Sequence, residues 1–350
     1  MKKIFFSLFI VFSLIFFGAG CVQIQMSGGG MDGGVFKSID RGGKWEQKVL
    51  IPTVTGRPKS IGSIDVLTLV FDPQDNHALY LGSKGNGLFF SFDGAESWMP
   101  SPTLSRGNVP AIAVSPKEKC TIYAGFENKV IKSVDCARTW QIMYFETKLE
   151  KLVTALAINP ANHLVVYAGT SAGDVIKSND GGVSWMTVLR TDNYIRDILI
   201  TKYNPDIIYV ATNGAGIWKS ENGGREWQEI NEGLKKYSGS FEYGKLAFDE
   251  SNPEILVLAS LYGLLKTSDG GKTWNPIPLL TPPSSARLYG LAINPKNGNE
   301  IYYSTATTLY KTVNGGINWI TKKLPSRRIG RVLLIDPKDS DVIYMGVWSQ

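Results

Sequence analysis

Short apolar runs alternate with turn residues along most of the chain. In 152–185, residues 153–158 form one such run, Asn159-Pro160-Ala161-Asn162 a turn, 164–169 and 174–178 two further runs, and Trp185 opens a fourth. Runs of this length bounded by Gly, Pro and Asx residues read as β-strands. The turn chemistry agrees, because a proline in second place presets φ and the residue before it can accept a backbone hydrogen bond from two residues on. The same slot reads Asp72-Pro73, Ser115-Pro116, Asn294-Pro295 and Asp336-Pro337 elsewhere.

An eight-residue pattern, Ser/Thr-x-Asp/Asn-x-Gly/Ala-x-x-Trp, marks the passage from the third run to the fourth. It occurs seven times: Ser38-Asp40-Gly42-Trp45, Ser91-Asp93-Ala95-Trp98, Ser133-Asp135-Ala137-Trp140, Ser178-Asp180-Gly182-Trp185, Ser220-Asn222-Gly224-Trp227, Thr267-Asp269-Gly271-Trp274 and Thr312-Asn314-Gly316-Trp319. Successive tryptophans lie 53, 42, 45, 42, 47 and 45 residues apart, the period of a four-stranded propeller blade. The last repeat has only its first two strands, at 331–335 and 342–346, and the first has only a third and a fourth, at 34–38 and 45–49. Joining the ends completes a seventh blade and removes a sheet edge of unpaired N–H and C=O groups. The expected fold is all-β: a seven-bladed β-propeller of four-stranded antiparallel blades over 34–350, closed by the N-terminal strands pairing with the last two C-terminal strands.

Composition narrows the class. With 43% apolar residues among 350, the chain can fill a core and is not disordered, and 17 Pro with 37 Gly disfavour a helical bundle. The formal charge is +6, but removing Lys2 and Lys3 with an export signal leaves 35 basic against 31 acidic residues, +4. Basic residues this dispersed make no nucleic-acid footprint. The signal occupies 1–20: two lysines, an apolar run at 4–17, and Gly18-Ala19-Gly20 before Cys21. Such a run reaches about 21 Å as a helix, short of the roughly 30 Å hydrocarbon core, so cleavage is expected rather than a membrane span. The segment resembles a bacterial lipoprotein signal, in which Cys21 becomes the acylated N-terminus and anchors the protein to a membrane outside the cytoplasm. Gly18 stands where a bulky aliphatic residue is usual, which leaves an ordinary secretory signal as the alternative. Residues 21–33, with Ser27-Gly28-Gly29-Gly30, then read as a flexible tether.

Two further cysteines remain. Cys120 opens the second strand of its blade and Cys136 lies just beyond the third, and those strands pair around 126–129. The pairing sets the two nearly opposite, so a disulfide is expected in an oxidising compartment, with two buried thiols as the alternative.

The eight-residue motif resembles the Asp box, or BNR repeat, of sialidases, sortilin-type receptors, xyloglucanases and the photosystem II stability and assembly factor family, over 34–350. In those families it forms the turn between third and fourth strands. The resemblance implies a structural role for Asp40, Trp45, Asp93, Trp98, Asp135, Trp140, Asp180, Trp185, Asn222, Trp227, Asp269, Trp274, Asn314 and Trp319. A carboxylate or amide oxygen accepts backbone N–H bonds, Gly takes positive φ, and Trp covers the blade edge. Ala95 and Ala137 depart from the glycine of the pattern.

Catalysis finds little support at this level. The sialidase resemblance implies an Arg-Ile-Pro signature and six blades, whereas Gly56-Arg57-Pro58 lacks the Ile and seven repeats are present. The xyloglucanase resemblance implies two catalytic aspartates across a cleft between tandem propellers, and this length makes one propeller. His77 and His163 occupy equivalent first-to-second-strand turns and read as polar turn residues. No triad, zinc set or phosphate-cradling loop is visible, so no metal or cofactor is expected.

The expected binding surface is the face opposite the motif turns, where the loops at 46–65, 228–243 and 275–289 are long. Residues at the entrances of the first strands are mostly basic or aromatic: Arg57, Arg106, Lys151, Arg196, Tyr243, Arg287, Tyr289, Arg328 and Arg331. The apolar pattern sets Arg196, Tyr289 and Arg331 at equivalent positions of three blades. Such a rim suits an acidic or carboxylate-bearing partner, held by bidentate Arg contacts and aromatic anchors. Repeat count and size resemble the photosystem II stability and assembly factor family. That resemblance implies a monomeric, non-enzymatic envelope scaffold for an envelope protein or an acidic or carbohydrate ligand, touching the membrane through its lipid alone. The alternative is a cell-surface carbohydrate-binding or glycoside-hydrolase-like protein.

Overall fold

The computed structural model describes residues 31–350 apart from 55 and 251. The expected signal at 1–20, the lipid site Cys21 and the tether as far as residue 30 lie outside the described residues. Seven four-stranded antiparallel sheets form the blades, with one additional two-stranded hairpin, Leu50–Ile51 with Lys59–Ser60. The innermost strands of blades one to seven are Val66–Asp72, Ala111–Val114, Val153–Ile158, Ile195–Ile200, Tyr243–Asp249, Leu291–Asn294 and Ile329–Ile335. Each packs against the next, and Ile329–Ile335 packs against Val66–Asp72, which closes the ring.

The closing blade draws on both chain ends. Its order is Ile329–Ile335, Ile343–Trp348, Val35–Ser38 and Glu46–Lys48, with Val35 opposite Gly346 and Ser38 opposite Ile343. The ring is thus held shut by ladder hydrogen bonds between residues about 310 apart in sequence, and Ile343–Trp348 is not left as an unpaired edge. Asp32 and Gly33 already belong to this seam: Asp32 accepts from Ser326 Oγ at 2.7 Å and Arg327 N at 2.9 Å, and Gly33 N donates to Gly62 O at 2.7 Å.

Burial follows position in the blade. Second strands such as Val166–Thr170 and Ile208–Thr212 are buried at every residue, because sheets of neighbouring blades cover both faces. Outer strands such as Gln228–Glu229 and Ile320–Lys323 are exposed throughout. Where blades cross most closely there is room only for glycine, since a Cβ on Gly169 would lie 2.4 Å from the Ile195 side chain.

The seven motif turns share one hydrogen-bond pattern. In the third blade Ser178 Oγ donates to Asp180 Oδ1 (2.7 Å) and accepts from Gly182 N (2.8 Å), while Asp180 Oδ1 accepts from Ser184 N (2.9 Å). Ala95 and Ala137 keep this turn by taking the glycine conformation, with φ of 68° and 67°. Each turn is also tied to the first-to-second-strand turn of its own blade by a backbone N–H, as Gly94 to His77, Gly181 to Leu164 and Gly223 to Asp206. In the second blade Cys136 N donates to Cys120 O at 3.2 Å and the two side chains are joined as a disulfide, Cα atoms 4.1 Å apart.

A second recurrent device links one blade to the next. Lysine precedes the motif Ser/Thr in six repeats, and Phe90 stands there in the first blade. Lys37, Lys132 and Lys177 lie 5.2–5.6 Å above the rings of Tyr344, Tyr123 and Tyr167. Both members of each pair donate to one carbonyl in the following blade's turn. Tyr167 and Lys177 reach Gly223 O at 2.9 and 2.8 Å, and Tyr344 and Lys37 reach Gly94 O across the closing seam at 3.1 and 2.9 Å.

Candidate functional site

The face opposite the motif turns is reached at the entrances of the innermost strands, and there a β-bulge recurs. In the fourth blade Ile195 pairs with Thr212 and Asp197 with Ala211, so Arg196 is the extra residue. In the seventh, Gly330 pairs with Val347 and Val332 with Gly346, so Arg331 is the extra residue. A bulge bends the strand and re-aims the side chain it carries. Arg196 and Arg331 therefore occupy equivalent positions, as the sequence pattern suggested. Tyr289 does not: its N–H donates to Ser304 O and Leu291 pairs with Tyr303, which sets Tyr289 one residue earlier, in the register of Ile195 and Tyr243.

The fourth and seventh blades are three apart around the ring, so their bulge residues meet only across the mouth of the central channel. Burial and the charge of Arg196 both push the Arg331 pKa down, against Tyr194 and Asp197, so those three groups lie within electrostatic reach of Arg331. A guanidinium remains protonated through such a shift. Each is backed by an aromatic ring, Arg196 Cζ 4.5 Å from the Tyr194 centroid and Arg331 Cζ 5.1 Å from Trp348, whose ring also carries Lys84 Nζ at 5.6 Å. Among the described residues neither guanidinium has a hydrogen-bond or ion-pair partner, and Arg196 Nε is buried without one.

The carboxylate beside them is already engaged. Lys245 Nζ lies 2.8 Å from both oxygens of Asp197, and the Tyr243 hydroxyl donates to Oδ2 while accepting from Leu246 N at 2.7 Å. Tyr243 is fully enclosed, and burial together with the Asp197 charge holds its hydroxyl pKa far above the phenolic range. Asp197 and Lys245 sit just past the bulges of adjacent blades, at matching positions. Their charges cancel, which leaves the two arginines, with Lys84 on the Trp348 ring beside Arg331, as uncompensated charge of the channel mouth.

The remaining residues of the expected rim are dispersed. Arg328 is a structural tie, with NH1 to Asp65 Oδ1 at 2.8 Å and Ser63 O at 3.1 Å and Nε to Asp32 at 3.4 Å. Lys151 and Arg190 share Asp174, each at 3.2 Å. Tyr289 accepts from Gln350 Nε2 at 2.8 Å. Arg57, Arg106 and Arg287 are exposed on separate loops. Two of the long loops spend part of their length on packing: Leu50 O accepts from Trp98 N, and in 228–243 the short helix Glu232–Leu234 and Tyr237 pack on Trp274, Tyr237 donating to its carbonyl at 2.9 Å. Tyr194, Asp197, Lys245 and Trp348 complete the channel site and were not anticipated, because alternation alone cannot reveal a bulge.

No family model matches the chain. Among curated proteins it is similar to xyloglucanase Xgh74A of Acetivibrio thermocellus, 26% identical over 330 residues, which covers 79% of this chain and 36% of that protein. A xyloglucanase of a Paenibacillus species is 25% identical over 365 residues, 82% of this chain and 30% of that one. The chain thus spans about a third of the length of the curated relatives it matches. Among solved structures, the GH74 xyloglucanase of Xanthomonas campestris superposes with a TM-score of 0.66 at 17% identity, over 81% of this chain and 51% of that one. YCF48 bound to a D1 peptide gives 0.63 at 17% identity, over 85% and 95%. At such identities the structural likeness bears on the fold. The sequence relatives bear on function, and they overturn the expectation of a non-enzymatic assembly scaffold, in favour of the glycoside-hydrolase-like alternative. Repeat number and size, on which that expectation rested, are properties of the ring and do not separate its users.

Proposed function

We propose that this chain is an exported, carbohydrate-active propeller of glycoside-hydrolase type, acting on polysaccharide at the cell surface. The observation that carries this reading is its alignment, over 79% of its length, with a xyloglucanase. The site it offers is the channel mouth, with the charged side chains of Arg196 and Arg331 and the aromatic side chains of Tyr194 and Trp348 on a rigid ring. The seven motif turns support the Asp-box reading, since their Asp, Asn, Ser and Thr oxygens are taken up by turn hydrogen bonds and are not free for chemistry. Lys2, Lys3, the apolar run and Cys21 support export with lipid attachment, and the Cys120–Cys136 bond suits an oxidising compartment. We take the ring to act as a monomer, with a glycan as its partner.

The test incubates the mature chain with xyloglucan and with a panel of other β-glucans and follows new reducing ends and oligosaccharide release. Cleavage or saturable binding of at least one polysaccharide is expected. Neither binding nor cleavage across the panel would remove the carbohydrate reading. Loss of acylated peptide and of membrane retention in Cys21→Ser is the expected result for the anchor.

A further inference from the structure

The mouth of the channel holds more positive charge than its own residues use. Arg196 and Arg331 come from blades three apart on equivalent bulges, and Asp197, the carboxylate that follows Arg196 in its strand, is held by Lys245 and Tyr243. Two guanidiniums within electrostatic reach of one another repel, and a fold keeps such a pair without an ion-pair partner only at a cost. The rings of Tyr194 and Trp348 lie against the guanidinium faces, which orients the planar forks while leaving their N–H edges free. The buried, unpartnered Arg196 Nε is the clearest sign that a ligand atom belongs there.

We infer that the channel mouth binds one carboxylate of an acidic glycan, a uronic acid residue held between the forks of Arg196 and Arg331. A carboxylate offers two coplanar oxygens with lone pairs on both outer edges, so it can accept from a guanidinium on each side at once. It also replaces the repulsion between the arginines with two attractions. The aromatic residues lining the opening supply apolar faces for the sugar ring. The anion site is argued from the matching bulges, the ring-backed guanidiniums and the unpartnered Arg196 Nε, whereas the assignment of its carboxylate to a sugar rests on the carbohydrate reading above.

Titration calorimetry separates the alternatives. The probes are galacturonic acid oligomers, the same oligomers with their carboxyls reduced to alcohols, and a peptide with a free or an amidated C-terminus. The acidic oligomers are expected to bind, with the reduced oligomers and both Arg196→Gln and Arg331→Gln at least about tenfold weaker, as expected for losing a charge-assisted bond. Arg196→Lys and Arg331→Lys keep the charge but lack the fork, and each is expected to recover only part of the affinity. Circular dichroism and melting temperature show that each variant is folded. Equal binding of acidic and reduced oligomers, or unchanged binding by folded Arg196→Gln and Arg331→Gln, overturns the site. Arg-dependent capture of the free-ended peptide, with no binding of acidic oligomers, overturns the glycan assignment. Failure on neutral β-glucans with binding of acidic oligomers intact counts against xyloglucan-type cleavage and leaves the anion site standing.

Discussion

The seven motif tryptophans share one sequence pattern but not their surroundings, and truncating two of them tests whether burial or the turn sets their value. Trp98 is completely buried, its Nε1 donating to Lys48 O at 2.9 Å in the neighbouring blade, and it lies in a cluster with Val35, Ile61, Ile64 and Val66. Trp185 is half-buried, its Nε1 bonds to Gly182 O within its own turn at 2.9 Å, and its main neighbour is Tyr144, ring centroids 6.0 Å apart. Burying a whole indole removes up to about 250 Å² from water, an upper bound near 6 kcal/mol at ~25 cal/mol/Å². Aromatic-to-alanine changes in cores cost roughly 3–5 kcal/mol once the cavity has relaxed. Trp98→Ala is therefore expected to cost about 4 kcal/mol and Trp185→Ala about 1–2 kcal/mol. A ring spanning Asp32–Gln350 has an unfolding entropy of roughly 0.7 kcal/mol/K, so the melting temperature should fall about 6 °C for Trp98→Ala and about 2 °C for Trp185→Ala. Differential scanning calorimetry with urea unfolding as a check measures both. Equal shifts would refute the reasoning, because they would mean that the tryptophan acts through its own turn and that the cover from 46–65 contributes nothing.

Other consequences can be tested alongside. The Asp135 carboxyl is held at about 2 by hydrogen bonds from the Thr139 hydroxyl and N–H, and that of Asp180 at about 2 by the same groups of Ser184. A depressed folded pKa gives stability that is present above the unfolded value near 4 and is lost as pH falls through 2. The urea midpoint should accordingly drop between about pH 4 and pH 2, and drop less in Asp135→Asn, whereas an unchanged profile in that variant would show the turn carboxylate to be uninvolved. The disulfide closes a loop of 16 residues, for which the chain-entropy account predicts about 3 kcal/mol, so Cys120→Ser/Cys136→Ser should unfold at clearly lower urea, and an equal midpoint would contradict it. Tyr167→Phe leaves the packing and removes the hydrogen bond to Gly223 O, and a loss of about 1 kcal/mol is expected by the same measurement.

The ring was legible because its determinants are local and repeated. The motif turn fixes the third and fourth strands of every blade, a proline turn marks the first and second in five of them, and counting both at the two chain ends is enough to foresee Val35 opposite Gly346. The cysteine pair was legible for the same reason, since two strands joined by a short loop set Cys120 and Cys136 across from each other. The channel mouth was only half legible. Arg196 and Arg331 stand out as charges at the start of apolar strands, but what makes them a candidate site is the bulge, and a bulge is a mismatch between two strands that neither shows by itself. The same mismatch hid the step of one residue that separates Tyr289 from them. It also hid Asp197 and Lys245, which alternation assigns to a strand interior and which instead face each other across adjacent blades. Function was least legible of all, because the most conspicuous residues serve the scaffold: the box oxygens are taken up by their own turns, and the lysines preceding those turns fasten one blade to the next. On the proposed reading, what distinguishes this ring from another with the same turns is carried by a few side chains at its opening, and those acquire meaning only once blades distant in sequence have been brought around a common axis.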